Sequence, residues 1–174
     1  MRGPPENSAE IAIGRAWLCR IAALALALFW AHGAWADSSP PLPRFESLSK
    51  DRVNLRVGPG NQYRIEWEYR RRGFPVEVIA KSDVWRKVRD WQGTEGWVHE
   101  RMITEQRTVI IRGEVRLLHE SADAGSTAVA RAEPGVIARL LECHRQWCRV
   151  EVQGIRGWLR RTEIWGVYPD EDVR

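Results

Sequence analysis

Short alternations of apolar and polar residues, broken by glycine-rich turns, run through the chain from Arg44 onward. Residues 76–79, 84–89 and 96–98 are examples in the first half, and residues 136–141, 147–152 and 157–159 are examples in the second. Their period of two is that of a β-strand, in which successive side chains point to opposite faces. No useful length of chain in this region has the helical period of 3.6 residues. The pattern therefore predicts an all-β protein of short strands.

This strand pattern occurs twice in the chain. The pairs Val53 and Val115, Leu55 and Leu117, Gly73 and Gly135, and Trp85 and Trp147 are each 62 positions apart (117 − 55). One residue is then lost, so that Gly96 and Gly157, and Trp97 and Trp158, are 61 positions apart (158 − 97). The repeat predicts two small β-barrels or sandwiches at residues 44–105 and 106–169. A Ser- and Pro-rich flexible leader at residues 37–43 precedes them, and a short tail at residues 170–174 follows.

The N-terminus has the features of an export signal. Arg15 and Arg20 precede an apolar run at residues 21–30, and the small-x-small sequence 34–36 follows it. The run is shorter than the roughly 20 apolar residues that a transmembrane helix needs. We expect residues 1–36 to be a cleaved signal peptide, although a retained anchor or a buried core helix are alternatives. Cys19 lies before the apolar run, which disfavours lipidation, and the mature protein is expected to be periplasmic or secreted.

Two cysteines, Cys143 and Cys148, remain after residue 36. A hairpin with a four-residue loop at residues 144–147 would place them opposite each other within disulfide reach, and an exported protein permits the bond. A zinc site that uses Cys143, His144 and Cys148 is an alternative, but no further ligands cluster nearby. A nucleophilic Cys143 would need a free thiolate and an oriented base.

Several short motifs occur in a specific order in the first copy. These are VNLRVGPG at residues 53–60, Tyr63, RRRG ending at Gly73, VWRKV at residues 84–88 and GTEGWV at residues 93–98. The chain resembles the bacterial SH3 domain family, and the second copy, with QGIRGWLRRTEIWGVYP at residues 153–169, resembles the tandem form found in exported proteins. The resemblance implies SH3-like barrels that bind peptides or cell-wall components, often beside a cell-wall hydrolase domain. Only six residues follow Tyr168, so we expect no catalytic domain in this chain.

The second copy departs from the family pattern. Residues 118–122 (LHESA) stand where the first copy has residues 56–60 (RVGPG), and Gly125 stands where it has Tyr63. The first copy is therefore predicted to supply most of the binding affinity.

The alternation of side chains along the strands predicts which face each tryptophan lies on. Trp85 shares its face with Lys87 and Arg89, which predicts that it points to solvent, and Trp147 shares its face with Arg149 and Glu151. Both tryptophans either line a groove or pack against a neighbouring segment. Trp97 and Trp158 are expected in the core, and the turn at residues 70–72 is either an anion-binding cluster or a solvated loop. The candidate ligand-binding residues are Arg56, Tyr63, Trp67, Arg71, Trp85 and Trp91.

Charge and composition argue against two classes of function, nucleic-acid binding and catalysis. The chain has 27 Lys and Arg against 23 Asp and Glu, a net charge of +4, which is too weak an excess to predict nucleic-acid binding. His99, His119 and His144 lie in no recognisable catalytic arrangement, so we expect no enzyme activity, no cofactor and no metal. Membrane contact is expected only through the signal peptide.

We predict a non-catalytic exported module that binds peptidoglycan or a peptide of the cell envelope. The alternative is a docking protein whose packed barrels recruit another envelope protein.

Overall fold

A computed structural model describes residues 40–174 of the 174-residue chain. The predicted signal peptide, with Cys19 and its cleavage site, lies outside the described residues, as does the start of the leader. Residues 40–174 form one compact unit that contains no α-helix, and no helix within them could span a bilayer.

The first barrel is a seven-stranded antiparallel sheet in the order β3-β2-β6-β5-β4-β1-β7. A 3-10 turn at Glu100–Met102 precedes its last strand. Its buried core consists of Leu48, Val53, Leu55, Tyr69, Val76, Val78, Val88 and Val98. Its strands are β1 (Arg44–Leu48), β2 (Val53–Arg56), β3 (Ile65–Tyr69), β4 (Pro75–Ser82), β5 (Trp85–Arg89), β6 (Glu95–His99) and β7 (Ile103–Thr104).

The second barrel repeats this topology with the order β10-β9-β13-β12-β11-β8-β14. A 3-10 turn at Arg161–Glu163 again precedes the last strand, and the core is a separate cluster that includes Leu118, Val150 and Leu159. The all-β tandem architecture expected from the sequence is confirmed. The strands are β8 (Thr108–Ile111), β9 (Arg116–His119), β10 (Ala128–Ala132), β11 (Ile137–His144), β12 (Trp147–Val152), β13 (Ile155–Arg160) and β14 (Ile164–Trp165).

Strand pairing corrects the repeat alignment near the start of each barrel. Leu55 pairs with Trp67, and Leu118 pairs with Ala130, which sets these strands 63 positions apart (118 − 55) rather than 62. Leu55 and Leu118 are both fully buried. The offset falls to 62 at β4 and β11, so the second copy lost a residue at two places rather than one. Arg56 therefore corresponds to His119, not to Leu118.

Both predicted terminal extensions contact the barrels in the part of the chain that the structure describes. Leu42, within the predicted flexible leader, packs against the first core. Val173, in the predicted tail, forms a β-bridge with Cys143 and packs on the second core. Glu171 forms an ion pair with Arg107 at 2.6 Å. Residues 170–174 therefore complete the second barrel.

The predicted disulfide joins Cys143 to Cys148, whose Cα atoms are 4.1 Å apart. The hairpin is tighter than expected, because His144 and Trp147 pair directly and leave a turn of only Arg145 and Gln146. Arg145 adopts a left-handed conformation with φ of 50° at that turn. Both sulfurs are in the disulfide, and no group of three or more potential metal ligands occurs within residues 40–174.

Reduction of this disulfide should destabilise the second barrel without unfolding it. The closed loop is short, so the chain-entropy model assigns the bond about 2 kcal/mol. We expect a reductant to lower the melting temperature of the protein and to expose two alkylatable thiols by mass spectrometry. The control is a Cys143→Ala/Cys148→Ala variant, whose melting temperature should not respond to reductant. Two free thiols in natively exported, unreduced protein would contradict the prediction.

Polar and aromatic contacts join the two barrels. The Ser47 hydroxyl donates to Thr108 Oγ1, which in turn donates to the Gly73 carbonyl oxygen, each at 2.6 Å. The Phe45 ring contacts the rings of Trp165 and Tyr168 at centroid distances of 4.9 and 4.6 Å. These contacts hold the first and second barrels against each other.

The Tyr168 hydroxyl extends this junction, donating to Glu77 of the first barrel at 3.0 Å. Burial, together with that hydrogen bond, raises the pKa of Tyr168 above its ordinary value. The phenol therefore keeps its proton and remains a donor at neutral pH.

Candidate functional site

A groove of about 400 Å³ crosses the first barrel beside its 3-10 turn. We call it the cationic groove. It contains three arginines and one histidine but no carboxylate, and Trp85 forms part of its wall. Its lining residues are Arg52, Asn54, Arg56, Asn61, Trp85, His99, Arg101 and Met102.

Arg56 shapes one edge of the cationic groove. Its Nη1 donates to the carbonyl oxygens of Asn61 and Tyr63 at 3.1 and 2.6 Å, and this ties the β2–β3 loop to the sheet. The Tyr63 ring lies directly over Gly58, where a Cβ would come within 2.5 Å of the ring. The spacing of glycine and tyrosine in the GPGNQY sequence is therefore a packing requirement. Tyr63 itself remains 40% exposed at the loop surface.

Trp85 is only 8% exposed, so the prediction that it points freely to solvent is wrong. The alternation behind that prediction holds, because Val88 on the other face is fully buried and Trp85 is not part of the core cluster. The His99 ring meets the Trp85 ring edge-on at 5.4 Å. The indole is therefore largely covered and contributes only a small exposed area to the groove.

The arginines of the cationic groove differ in whether they already form an ion pair within the protein. Arg52 forms an ion pair with Glu68 at 2.8 Å, and Glu68 also pairs with Arg70. These two guanidinium groups lower the pKa of Glu68 to about 2. The Arg101 side chain is exposed and makes no hydrogen bond or ion pair within residues 40–174. Arg101 and the outer part of Arg56 are thus available to an anionic ligand.

The second barrel carries a related but rearranged cluster. Trp147 corresponds to Trp85, but His119 takes the place of Arg56, and Arg160 takes the place of His99. The Arg160 guanidinium lies over the Trp147 ring at 5.1 Å, and the His119 ring meets that indole at 5.9 Å. His119 Nδ1 lies 3.1 Å from the Ser126 carbonyl oxygen, as Arg56 contacts the Tyr63 carbonyl. Histidine and arginine have exchanged places around the shared tryptophan.

The flank of this cluster differs between the barrels. Val115 and Leu117 stand where the first barrel has Arg52 and Asn54, and they are 42% and 44% exposed. This edge of the second barrel is therefore apolar where the first barrel is polar.

A second groove, of about 290 Å³, lies on the first barrel and shares no lining residue with the cationic groove. We call it the aromatic groove. Tyr69 and Phe74 stack at 5.2 Å between centroids. Trp67 and Trp91 are the exposed members, at 59% and 37%. The full lining is Trp67, Tyr69, Phe74, Asp90, Trp91, Gln92 and Thr94.

Asp90 organises the turn that carries Trp91. Its Oδ1 accepts the backbone N–H groups of Gln92 and Thr94, each at 2.9 Å, and its Oδ2 accepts the Tyr69 hydroxyl at 3.0 Å. Burial, with the Asp90 charge beside it, raises the pKa of Tyr69 well above its ordinary value. The protonated hydroxyl therefore remains a donor to the buried carboxylate, and the turn is held against the barrel.

The six predicted ligand-binding residues fall in several places. Arg56 and Trp85 line the cationic groove, Tyr63 lies on the adjoining loop, and Trp67 and Trp91 line the aromatic groove. Arg71 lines neither groove. Its Nη1 donates to the Gly135 carbonyl oxygen of the second barrel at 2.9 Å.

The structure bears on two further features of this surface. Because Arg70 pairs with Glu68 and Arg71 contacts the second barrel, residues 70–72 are not a free cationic cluster. All three are exposed, which agrees with the alternative of a solvated loop. Trp97 and Trp158 are half-buried rather than in the core. Glycine and a buried aliphatic residue occupy the inward positions on either side of each of these tryptophans, so alternation turns the indoles outward.

Sequence reasoning missed His99 and Arg101 in the cationic groove and Tyr69, Phe74 and Asp90 in the aromatic groove. The DWQGT sequence at residues 90–94 carried a usable signal for the last of these, because Asp side chains commonly accept backbone N–H groups in tight turns. His99 and Arg101 gave no such signal, because His99 meets Trp85 only through strand pairing and Arg101 lies in the 3-10 turn that follows.

Comparison with protein families identifies both barrels. A family model described as "Bacterial SH3 domain" matches twice, at residues 49–105 and 113–166. The chain belongs to the bacterial SH3 domain family. Each match covers most of one barrel, so this chain carries two bacterial SH3 domains in tandem. No protein in the curated set matched.

Solved structures similar to these tandem SH3 domains include NlpC1 and NlpC2 from Trichomonas vaginalis. NlpC1 has 13% identity and a TM-score of 0.34 over 75% of this chain and 48% of that one. NlpC2 has 12% identity and a TM-score of 0.34 over 72% and 49%. An NlpC/P60 family protein from Bacillus cereus has 15% identity and a TM-score of 0.32 over 69% and 55%. The chain spans about half the length of each of these proteins.

Proposed function

We propose that this protein is a non-catalytic, exported binding module that holds an anionic ligand of the cell envelope, peptidoglycan or a carboxylate-bearing peptide, in the cationic groove. The observation that carries the proposal is the composition of that groove. Three arginines and a histidine line the groove together with Trp85, and no carboxylate lies among the lining residues. Arg52 is paired with Glu68, whereas Arg56 and Arg101 form no ion pair within residues 40–174. Such a surface attracts carboxylates electrostatically and offers them charge-assisted hydrogen bonds.

Family membership and the disulfide agree with this proposal. Disulfides persist in oxidising compartments, which favours a protein that acts outside the cytoplasm. The groove is partly open to solvent, and an open groove suits a polymer or an extended peptide better than an enclosed pocket would. In this proposal the first barrel binds the ligand, and the second barrel has a structural role.

Arg101 provides the sharpest test of the cationic groove. Its side chain makes no hydrogen bond or ion pair within residues 40–174, whereas a hydrogen bond to a charged partner contributes about 1.5–3 kcal/mol. Arg101→Gln should therefore weaken retention of the protein on purified cell wall by about tenfold or more. Retention of the wild-type protein should also fall as salt is raised, because salt screens exposed charges.

The matched control is Arg131→Gln. Arg131 is an exposed arginine of the second barrel whose side chain also makes no hydrogen bond or ion pair in residues 40–174, so the variant removes the same charge away from the groove. It should bind cell wall like the wild-type protein. Equal losses in both variants would show non-specific charge attraction and would refute the cationic groove as the site.

A docking role is the second candidate, and the apolar flank of the second barrel favours it. Val115 and Leu117 are exposed where the first barrel is polar. If a Leu117→Ser variant loses a co-purifying envelope protein while its cell-wall retention is unchanged, the second barrel recruits a protein partner. If the wild-type protein is not retained by cell wall at all, docking replaces wall binding as the function.

A further inference from the structure

We infer that the aromatic groove is a second binding site, distinct from the cationic groove, and that it takes an uncharged sugar ring of a glycan chain. The two grooves share no residue. This inference therefore does not depend on what the cationic groove binds. It rests on the shape of the aromatic groove, its lack of free charge and its loss from the second barrel.

Two tryptophans of the groove, Trp67 and Trp91, are exposed and are not part of the core of the first barrel. Trp67 is 59% exposed on the edge strand β3, and Trp91 is 37% exposed on the turn between β5 and β6. Tyr69 and Phe74 stack beneath them and are themselves packed on or near the core. Exposed, rigid aromatic rings over a packed base offer a large contact area at small entropic cost, which is typical of binding surfaces.

The lining carries no charge that is free to meet a ligand. Asp90 is the only carboxylic acid among the lining residues, and its side chain is buried, with the residue 5% exposed, and already accepts three hydrogen bonds. The Gln92 amide and the Thr94 hydroxyl are exposed, and their side chains make no hydrogen bond in the part of the chain that the structure describes. The free polar groups are thus neutral donors and acceptors. A charged ligand would find no partner, whereas a ligand with hydroxyl groups would find several.

A pyranose ring has the matching chemistry. Its axial C–H bonds form a weakly positive apolar face, which is attracted to the negative face of an indole ring. Its equatorial hydroxyls project sideways, toward where Gln92 and Thr94 would receive them. The groove volume of about 290 Å³ is at the small end of ligand pockets. It therefore suits one or two rings of a chain better than a large ligand.

The second barrel has lost every element of this groove. Ala130 and Ala132 occupy the positions of Trp67 and Tyr69 in the paired strands. The hairpin between β12 and β13 closes with Gln153 and Gly154 alone, because Val152 pairs directly with Ile155. No equivalent of the Asp90 turn remains to carry a tryptophan. A structural role common to both barrels therefore does not explain these aromatic residues.

Titration of the full protein with chitotetraose, an uncharged β-1,4-linked oligosaccharide, tests the inference by calorimetry and tryptophan fluorescence. We expect binding whose affinity does not change between low and high salt, in contrast to a ligand held by arginines. Trp67→Ala and Trp91→Ala should each weaken binding by about tenfold or more, as expected for aromatic hot spots. Trp67→Phe should restore part of the affinity. The amide resonances of Gln92 and Thr94 should shift on binding.

Val129→Ala is the matched control, because it shortens a comparably exposed apolar residue on the second barrel. It should leave chitotetraose binding unchanged, as should Arg101→Gln in the cationic groove. The inference is overturned if chitotetraose does not bind, or if binding survives both tryptophan variants in folded protein. Tighter binding of decaproline with the same sensitivity to Trp67→Ala would instead make the groove a peptide site. Loss of cell-wall retention in Arg101→Gln with normal chitotetraose binding separates the two grooves.

Discussion

Replacement of Trp85 with alanine is expected to lower the free energy of unfolding of the first barrel by about 3 kcal/mol or more, since truncation of a buried tryptophan leaves a large cavity. The indole is 8% exposed, and its ring is packed against His99. Its removal would leave the wall of the cationic groove without support. The largest effect of this change is therefore on stability, and binding measurements at this position are better made with Trp85→Phe.

Urea unfolding followed by circular dichroism measures this effect. Trp67→Ala is the matched control, because it removes the same ring from a position that is 59% exposed, and its cost should be below about 1 kcal/mol. Trp147→Ala should fall between the two, because that indole is half-buried and covered by Arg160. If Trp85→Ala proves as stable as Trp67→Ala, the packing described for Trp85 is wrong.

Gly96→Ala should destabilise the protein by about 2–3 kcal/mol through overpacking. A Cβ at this position would lie 2.5 Å from Leu55 Cγ and 2.9 Å from the Arg56 carbonyl oxygen. Leu55 is fully buried, and the carbonyl belongs to the backbone, so neither atom can move away at low cost. The expected strain comes from this close approach of β6 to β2.

The comparison of three glycines makes the test specific. Gly157→Ala should also destabilise, because its Cβ would lie 2.7 Å from Leu118 Cβ in the second barrel. Gly125→Ala should be close to neutral, because its nearest neighbour would be an Asp123 carboxylate oxygen at 3.5 Å. Thermal melts of the three variants give the ranking. Equal melting temperatures for Gly96→Ala and Gly125→Ala would contradict the close approach.

The two grooves were harder to predict than the strands. Alternation correctly placed Trp85 on the face opposite Val88, but it could not show that the His99 ring would cover the indole, because these residues are 14 positions apart (99 − 85). The grouping of Trp67 with Trp91, and of Arg56 with Arg101, depends on pairing between strands that are distant in the sequence. The repeat spacing of 62 places β9 one position out of register, because it follows the glycines and tryptophans of the later strands, whereas strand pairing sets Leu118 in the position of Leu55.

By itself, the sequence determined the all-β class, the tandem repeat, the positions of most strands and the pairing of Cys143 with Cys148. These features follow from local physics: side-chain alternation, turn-forming glycines and the short separation of two cysteines. Only the tertiary structure decided that Trp85 is covered, that Arg71 contacts the second barrel, that residues 170–174 complete that barrel, and that four aromatic residues meet in one groove. How exposed a side chain is, and which side chains meet in a groove, depends on which strands become neighbours and which segments fold over them. These are long-range contacts, and the spacing of residues along the chain does not reveal them.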